Sequence, residues 1–239
     1  MDDKLFAFAQ VNREFAYRYL WRFFAMEPDE AMLNLIAGDV AGSQLGILLD
    51  AESDGMKAQT RLAGLARDYL EGEGGGLAHL RDEFTRLFLG PAAPIAPLWE
   101  SVYLDNDHLL FSRTTLEIRE LYKTAGFAAG AAPKEADDHL AIELDFMAAL
   151  AKRTAEALSA GDRALASAYT VYQKAFLEQH LTRFVPQIIE QLDAKIPDDY
   201  GDFYCYALIL VREVTGADML VLTQMRQNGG GAPADPPTR

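Results

Sequence analysis

The residues best placed to do chemistry lie in one acidic run, Glu135-Ala136-Asp137-Asp138-His139, continued by Glu143 and Asp145. His139 and Glu143 are four residues apart and so share one face of any helix that carries them. One imidazole and one carboxylate at that spacing, with Asp138 beside them, fall short of the ligand set of a protein metal site. Two other readings stay open. Acidic residues at a helix start complement its positive end and need do nothing more. A pair of carboxylates can instead accept a guanidinium fork through parallel hydrogen bonds, and an adjacent histidine would make that acceptor sensitive to pH.

Catalytic signatures are missing from the chain. It has no GxxxxGK[ST] phosphate loop, no GxSxG elbow, no HExxH and no CxxC. His79 and His108 stand apart from that run, and His180, on an aromatic helix, reads as a core histidine. The single Cys205, among Phe203, Tyr204 and Tyr206, reads as buried and inert. It excludes an internal disulfide and a thiolate metal site, and suits a reducing compartment. No catalytic residue, metal or cofactor is expected.

Charge narrows the partners. The formal net charge is −14, from 22 basic and 36 acidic residues in 239. Phosphate backbones need a basic face, so nucleic acid is excluded as a partner, and long-range attraction favours cationic ones. The densest apolar segment, Phe203 to Val214, is interrupted by Arg212 and Glu213, so no integral membrane span is expected. The start, Met1-Asp2-Asp3-Lys4, lacks the pattern of a signal peptide, and a cytoplasmic location is expected.

A second stretch must be positioned against the acidic run. Glu83-Phe84-Thr85-Arg86-Leu87-Phe88-Leu89 reads as an amphipathic helix that stops at Gly90-Pro91. The loop after it holds Ala92, Ala93, Ile95, Ala96, Leu98 and Trp99, with hardly a charge before Glu100, and leads to Ser101-Val102-Tyr103. So apolar a loop must pack onto something, as core or as a surface for a partner; Trp99 by itself reads as a core plug.

The remaining elements are helical. Helices are expected over 5–26, from Pro28 through Ile36, over 55–70 and over 77–89, with Gly72 and Gly74 to Gly76 as a flexible connector. Thr114 and Glu117 suggest a capping box, and Asp137 or Asp138 a cap for a helix ending near Ser159. Gly161-Asp162 starts another running to about Arg183, Pro186 kinks or restarts the chain, and a last helix spans about 200–224. Phe15, Tyr17, Tyr19, Trp21, Phe23 and Phe24 are too dense for one helix face. Sustained period-two alternation is nearly absent. The expectation is an all-α, single globular multi-helix domain over 1–226, a possible hinge at 127–133 and a disordered Gly/Pro-rich tail over 227–239.

Taken together, Glu83-Phe84-x-x-Leu87-Phe88-x-Gly90-Pro91, Pro97-x-Trp99-x-Ser101-Val102-Tyr103 and Asp137-Asp138-His139-Leu140-x-x-Glu143-Leu144-x-Phe146-Met147 resemble the TorD/DmsD family of redox-enzyme maturation chaperones. Phe176-Leu177-x-x-His180-Leu181 is a weaker third element, with Phe184 where relatives commonly carry tryptophan. The resemblance implies a TorD/DmsD-like binding protein, not an enzyme. Its partners would be the twin-arginine signal peptide and the body of a molybdoenzyme precursor, held back from export until its cofactor is inserted. The implied peptide site comprises Phe84, Leu87, Phe88, Pro97, Trp99, Ser101 and Tyr103 with Asp137, Asp138, His139 and Glu143. Monomers and domain-swapped dimers both occur among relatives. Alternatives are a NarJ-like chaperone for the body of a non-exported molybdoenzyme, or a nucleotide- or cofactor-binding enzyme relying on Arg113, Arg119 and Lys123.

Overall fold

The computed structural model describes residues 3–90, 93–105, 113–128, 135–196 and 202–228. Among them the secondary structure is helical apart from one isolated two-residue bridge. Pro91, most of the expected hinge, the start expected near Tyr200 and the glycine-rich tail lie outside the described residues.

Helix α1 (Asp3–Phe24) explains its own aromatic density by packing against more than one neighbour: α8 (Leu140–Ser159) and α11 (Phe203–Asn228). Tyr17, Tyr19, Phe23 and Phe24 are buried, whereas Phe8 is exposed. The Tyr19 hydroxyl donates to Gln59 at 2.8 Å. A buried ion pair joins α1 to α11: Arg13 binds Asp218, which also accepts from the Tyr17 hydroxyl at 2.6 Å. Such a pair is weak evidence for net stability, but losing either partner leaves an uncompensated buried charge.

Helix α2 (Glu30–Ala37) is capped by Asp29, so Pro28 precedes the cap instead of entering the first turn. After α3 (Asp39–Leu45), helix α4 (Asp54–Leu70) starts at the Ser53 cap. At Gly55 a Cβ would lie 2.8 Å from both Glu213 and Leu49, so glycine lets α4 approach α11 closely. The expected flexible connector is a defined turn: a 3-10 segment, Glu73–Gly75, leads directly into α5 (Gly76–Phe84). The helix then widens into a π-turn over Thr85–Leu89. It ends at Gly90, whose φ of 78° only glycine adopts without strain and whose N–H returns to the Thr85 carbonyl at 2.6 Å.

Three expected helix boundaries fall elsewhere. Helix α7 (Arg113–Thr124), which follows the single turn α6 (Ser101–Leu104), is capped by Asp105: its carboxylate takes the Thr114 N–H at 3.2 Å and hydroxyl at 2.7 Å. Glu117 pairs with Arg113 instead, so the expected capping box does not form. Helix α8 is capped by His139, not by Asp137 or Asp138. Between α9 (Arg163–Gln179) and α10 (Leu181–Lys195) the break is at His180, with φ −122° and ψ −92°; Pro186 sits inside α10. No described helix is long and apolar enough to cross a membrane.

Candidate functional site

The two stretches singled out by their residue types meet. Trp99 and His139 face each other in an antiparallel bridge, held by Leu140 N–H to the Leu98 carbonyl at 2.8 Å and Glu100 N–H to the Asp138 carbonyl at 2.9 Å. Their rings pack edge to face with centroids 5.5 Å apart. The proline-rich loop can reach this position because both its ends are tied. Ala96 N–H binds the Leu87 carbonyl at 2.9 Å, Gln191 donates to the Ile95 carbonyl at 2.7 Å, and the Tyr103 hydroxyl donates to the Pro97 carbonyl at 2.8 Å.

The acidic run divides into a buried and an outer part. Asp138 is fully buried, and its carboxylate accepts the Ser101 N–H at 3.0 Å and the Thr115 hydroxyl at 2.8 Å. It therefore fastens α6 and α7 to the start of α8. Asp137 remains half-buried and pairs with Arg119 at 2.5 Å. His139 uses Nδ1 to accept the Ala141 N–H at 3.1 Å, which leaves the proton on Nε2. Burial pushes its pKa down to about 4, so the ring is neutral at physiological pH.

Glu143 lies fully buried beneath this layer, and among the described residues no N–H or O–H group reaches either of its oxygens. Burial first, then the charge and hydrogen bond of Glu100, hold it well above the usual carboxylate range. Protonated, it can donate to Glu100 as half of a carboxyl–carboxylate pair. Glu100 is completed by His180, whose Nδ1 stands 2.9 and 3.0 Å from its two oxygens. The break between α9 and α10 brings that imidazole into place. His180 is thus the satisfied core histidine its surroundings suggested.

Of the expected peptide-site residues, Phe84, Leu87 and Phe88 are core, with Phe88 wedged between Phe24 and Tyr204. Ser101, Asp138, His139 and Glu143 are also buried. Pro97, Trp99, Tyr103 and Asp137 reach the surface in part. The apolar face of α5 and its π-turn therefore does not line a groove, and Asp138 and Glu143 are not open acceptors for an arginine. Residue types alone missed Glu100, Thr115 and the α7 carboxylates Glu117 and Glu120. Glu100 carried one signal, as the first charge after an apolar loop.

A cavity of about 950 Å³ opens beside this buried layer, between α7 and the α9–α10 junction, with Glu100 and His180 in its wall. Among the described residues no three His, Cys, Asp or Glu side chains converge as for a metal ion. Burial holds the Cys205 thiol up at about 11, far from a reactive thiolate.

A family model described as nitrate reductase delta subunit matches residues 52–190, more than half of the chain. The probable Tat proofreading chaperone DmsD of Haemophilus influenzae is 27% identical over 135 residues, 56% of this chain and 58% of that protein. The perchlorate reductase assembly chaperone protein of Dechloromonas aromatica is 28% identical over 124 residues, covering 50% and 54%. The chaperone protein TorD of Aliivibrio fischeri is 32% identical over 111 residues, covering 46% and 50%. The chain thus spans about half the length of the curated relatives it matches.

Proposed function

The chain belongs to the nitrate reductase delta subunit family, with the TorD and DmsD chaperones among its relatives, and we propose that it is a dedicated maturation chaperone for a molybdoenzyme, acting in the cytoplasm on the precursor and its twin-arginine signal peptide. The observation that carries this reading is the joining of the two motif stretches through the Trp99–His139 bridge. Trp99, Pro97 and Tyr103 form its accessible apolar part, and Asp137 lies on the same connection at the mouth of α8. Leu87, Ser101, Asp138, His139 and Glu143 act from behind, by holding that loop in place, and Phe84 and Phe88 belong to the core beneath it. A signal peptide combines adjacent guanidinium groups with an apolar stretch, which suits an acidic protein with a fixed apolar loop.

Calorimetry with a synthetic twin-arginine leader peptide tests this. Binding that Trp99→Ala weakens without loss of folding supports the reading; no binding by the folded wild type removes it.

A second reading has its own support in the family description, which names a nitrate reductase subunit. In it the chaperone grips the body of a redox enzyme that carries no leader. Co-purification of a client with and without its leader separates the two, because only the body-directed chaperone retains a leaderless client.

A further inference from the structure

We propose that the cavity between α7 and the α9–α10 junction receives one basic side chain of the bound peptide, an arginine in the twin-arginine case. The inference rests on the peptide-binding reading and adds to it the place of the cation. Asp138 is buried and committed to Ser101 and Thr115, and Glu143 is fully buried outside the cavity lining. The guanidinium must find its acceptors elsewhere.

The cavity, about 950 Å³, exceeds the needs of one side chain and opens to solvent. Its lining carries four carboxyl side chains against two guanidinium groups, Arg113 and Arg183; Asp105 is committed to the cap of α7, which leaves Glu100, Glu117 and Glu120 to face the space. Arg113 is already paired with Glu117 at 2.6 Å, and Glu120 with Lys123 at 2.6 Å. Exposed pairs of this kind are weak, so an incoming guanidinium can displace them at small cost. Glu100 lies at the inner end, fixed by His180. The acidic groups are spread and do not converge on one point, which suits a planar multi-donor cation and not a metal ion.

The apolar side of the cavity fixes the occupant further. Leu116 is 56% exposed on α7, one residue from Glu117 and four from Glu120, and Leu104 and Leu121 line the same space. An exposed leucine flanked by carboxylates matches a segment in which a basic residue adjoins apolar ones. The formal charge of −14 directs such a segment towards the protein.

The test uses the full chain and two synthetic leader peptides, one with its arginine pair and one with both replaced by glutamine. Glu117→Gln combined with Glu120→Gln changes exposed side chains only. We expect it to weaken the arginine peptide about fivefold at low salt and leave the glutamine peptide unaffected. Equal affinities of variant and wild type for the arginine peptide overturn the cavity assignment while the chaperone reading stands. If the wild type binds neither peptide, the chaperone reading fails, and titration with N-acetyl-arginine amide followed by NMR decides the cavity alone. Shifts at Leu116 and His180 that the double variant abolishes support it; a spectrum that does not move overturns it.

Discussion

The carboxylate of Asp138 accepts the backbone N–H of Ser101 at 3.0 Å across 37 residues of chain, and no water-exposed surface remains on either group. Its other oxygen takes the Thr115 hydroxyl at 2.8 Å. One side chain thus ties three segments together: the turn after Trp99, the start of α7 and the start of α8.

Asp138→Ala should therefore act through stability. It strands a buried N–H and a buried hydroxyl, each costing about 1–3 kcal/mol, so a loss of several kcal/mol is expected in urea unfolding. Thr115→Val alone should cost less, and the double variant less than the sum, because the partners are removed together. A folded Asp138→Ala protein with unchanged midpoint would rule out this anchoring role.

His139 sets the acid limb of stability. Its pKa falls from 6.5 to about 4 in the folded protein, so between those values the unfolded chain binds more protons. Stability must decrease as pH falls through that window, by roughly 3 kcal/mol in total. His139→Asn keeps an N-cap acceptor and does not titrate. Urea midpoints at pH 7 and pH 4 should diverge less for the variant than for the wild type.

Glu143 works in the opposite direction. Its folded pKa is raised above 4.5, so the folded protein keeps a proton that the unfolded chain sheds. Stability must decrease as pH rises from 4.5 towards the folded value, by about 1.4 kcal/mol per pH unit. Glu143→Gln mimics the protonated form and can still donate to Glu100. Its stability relative to wild type should grow as pH rises above 4.5 and level off beyond the folded value, and a difference that stays constant from pH 4 to pH 8 would refute a raised Glu143.

Helix content and most of the core were legible in the residues because apolar spacing and glycine stops are local signals. The Gly161-Asp162 boundary shows this: Gly161 has φ 77°, and Asp162 caps the next helix through the Leu165 N–H at 2.9 Å. The boundaries that moved depend on distant groups. His180 interrupts the helix, and not Pro186, and the break places its imidazole on Glu100, 80 residues away. Asp105 displaced the Thr114–Glu117 box because a carboxylate from the preceding turn reached the same N–H first. The candidate site was half legible. Trp99 and His139 stood out by type, but the division of the acidic run into an inner Asp138 and an outer Asp137 needs the bridge that turns one inward.

That division separates residues that build the site from residues able to touch a client. Phe88 packs edge to face on Phe24, Phe84 and Tyr204 at 5.0–5.9 Å and is 1% exposed. Phe88→Ala should cost about 3–5 kcal/mol, enough to consume much of a typical domain's stability. Trp99→Ala removes a half-buried ring whose packing partner His139 keeps its own cap, and should cost clearly less. If Trp99 contacts the client, its variant loses peptide affinity at temperatures where it is fully folded. The Phe88 variant should lose affinity only in step with its unfolded fraction, and lowering the temperature or adding a stabilising osmolyte should restore it. Parallel calorimetry and circular dichroism on the two variants check this. An affinity loss in folded Phe88→Ala that no stabiliser reverses would instead place that side chain at the binding surface, which its burial excludes in this conformation.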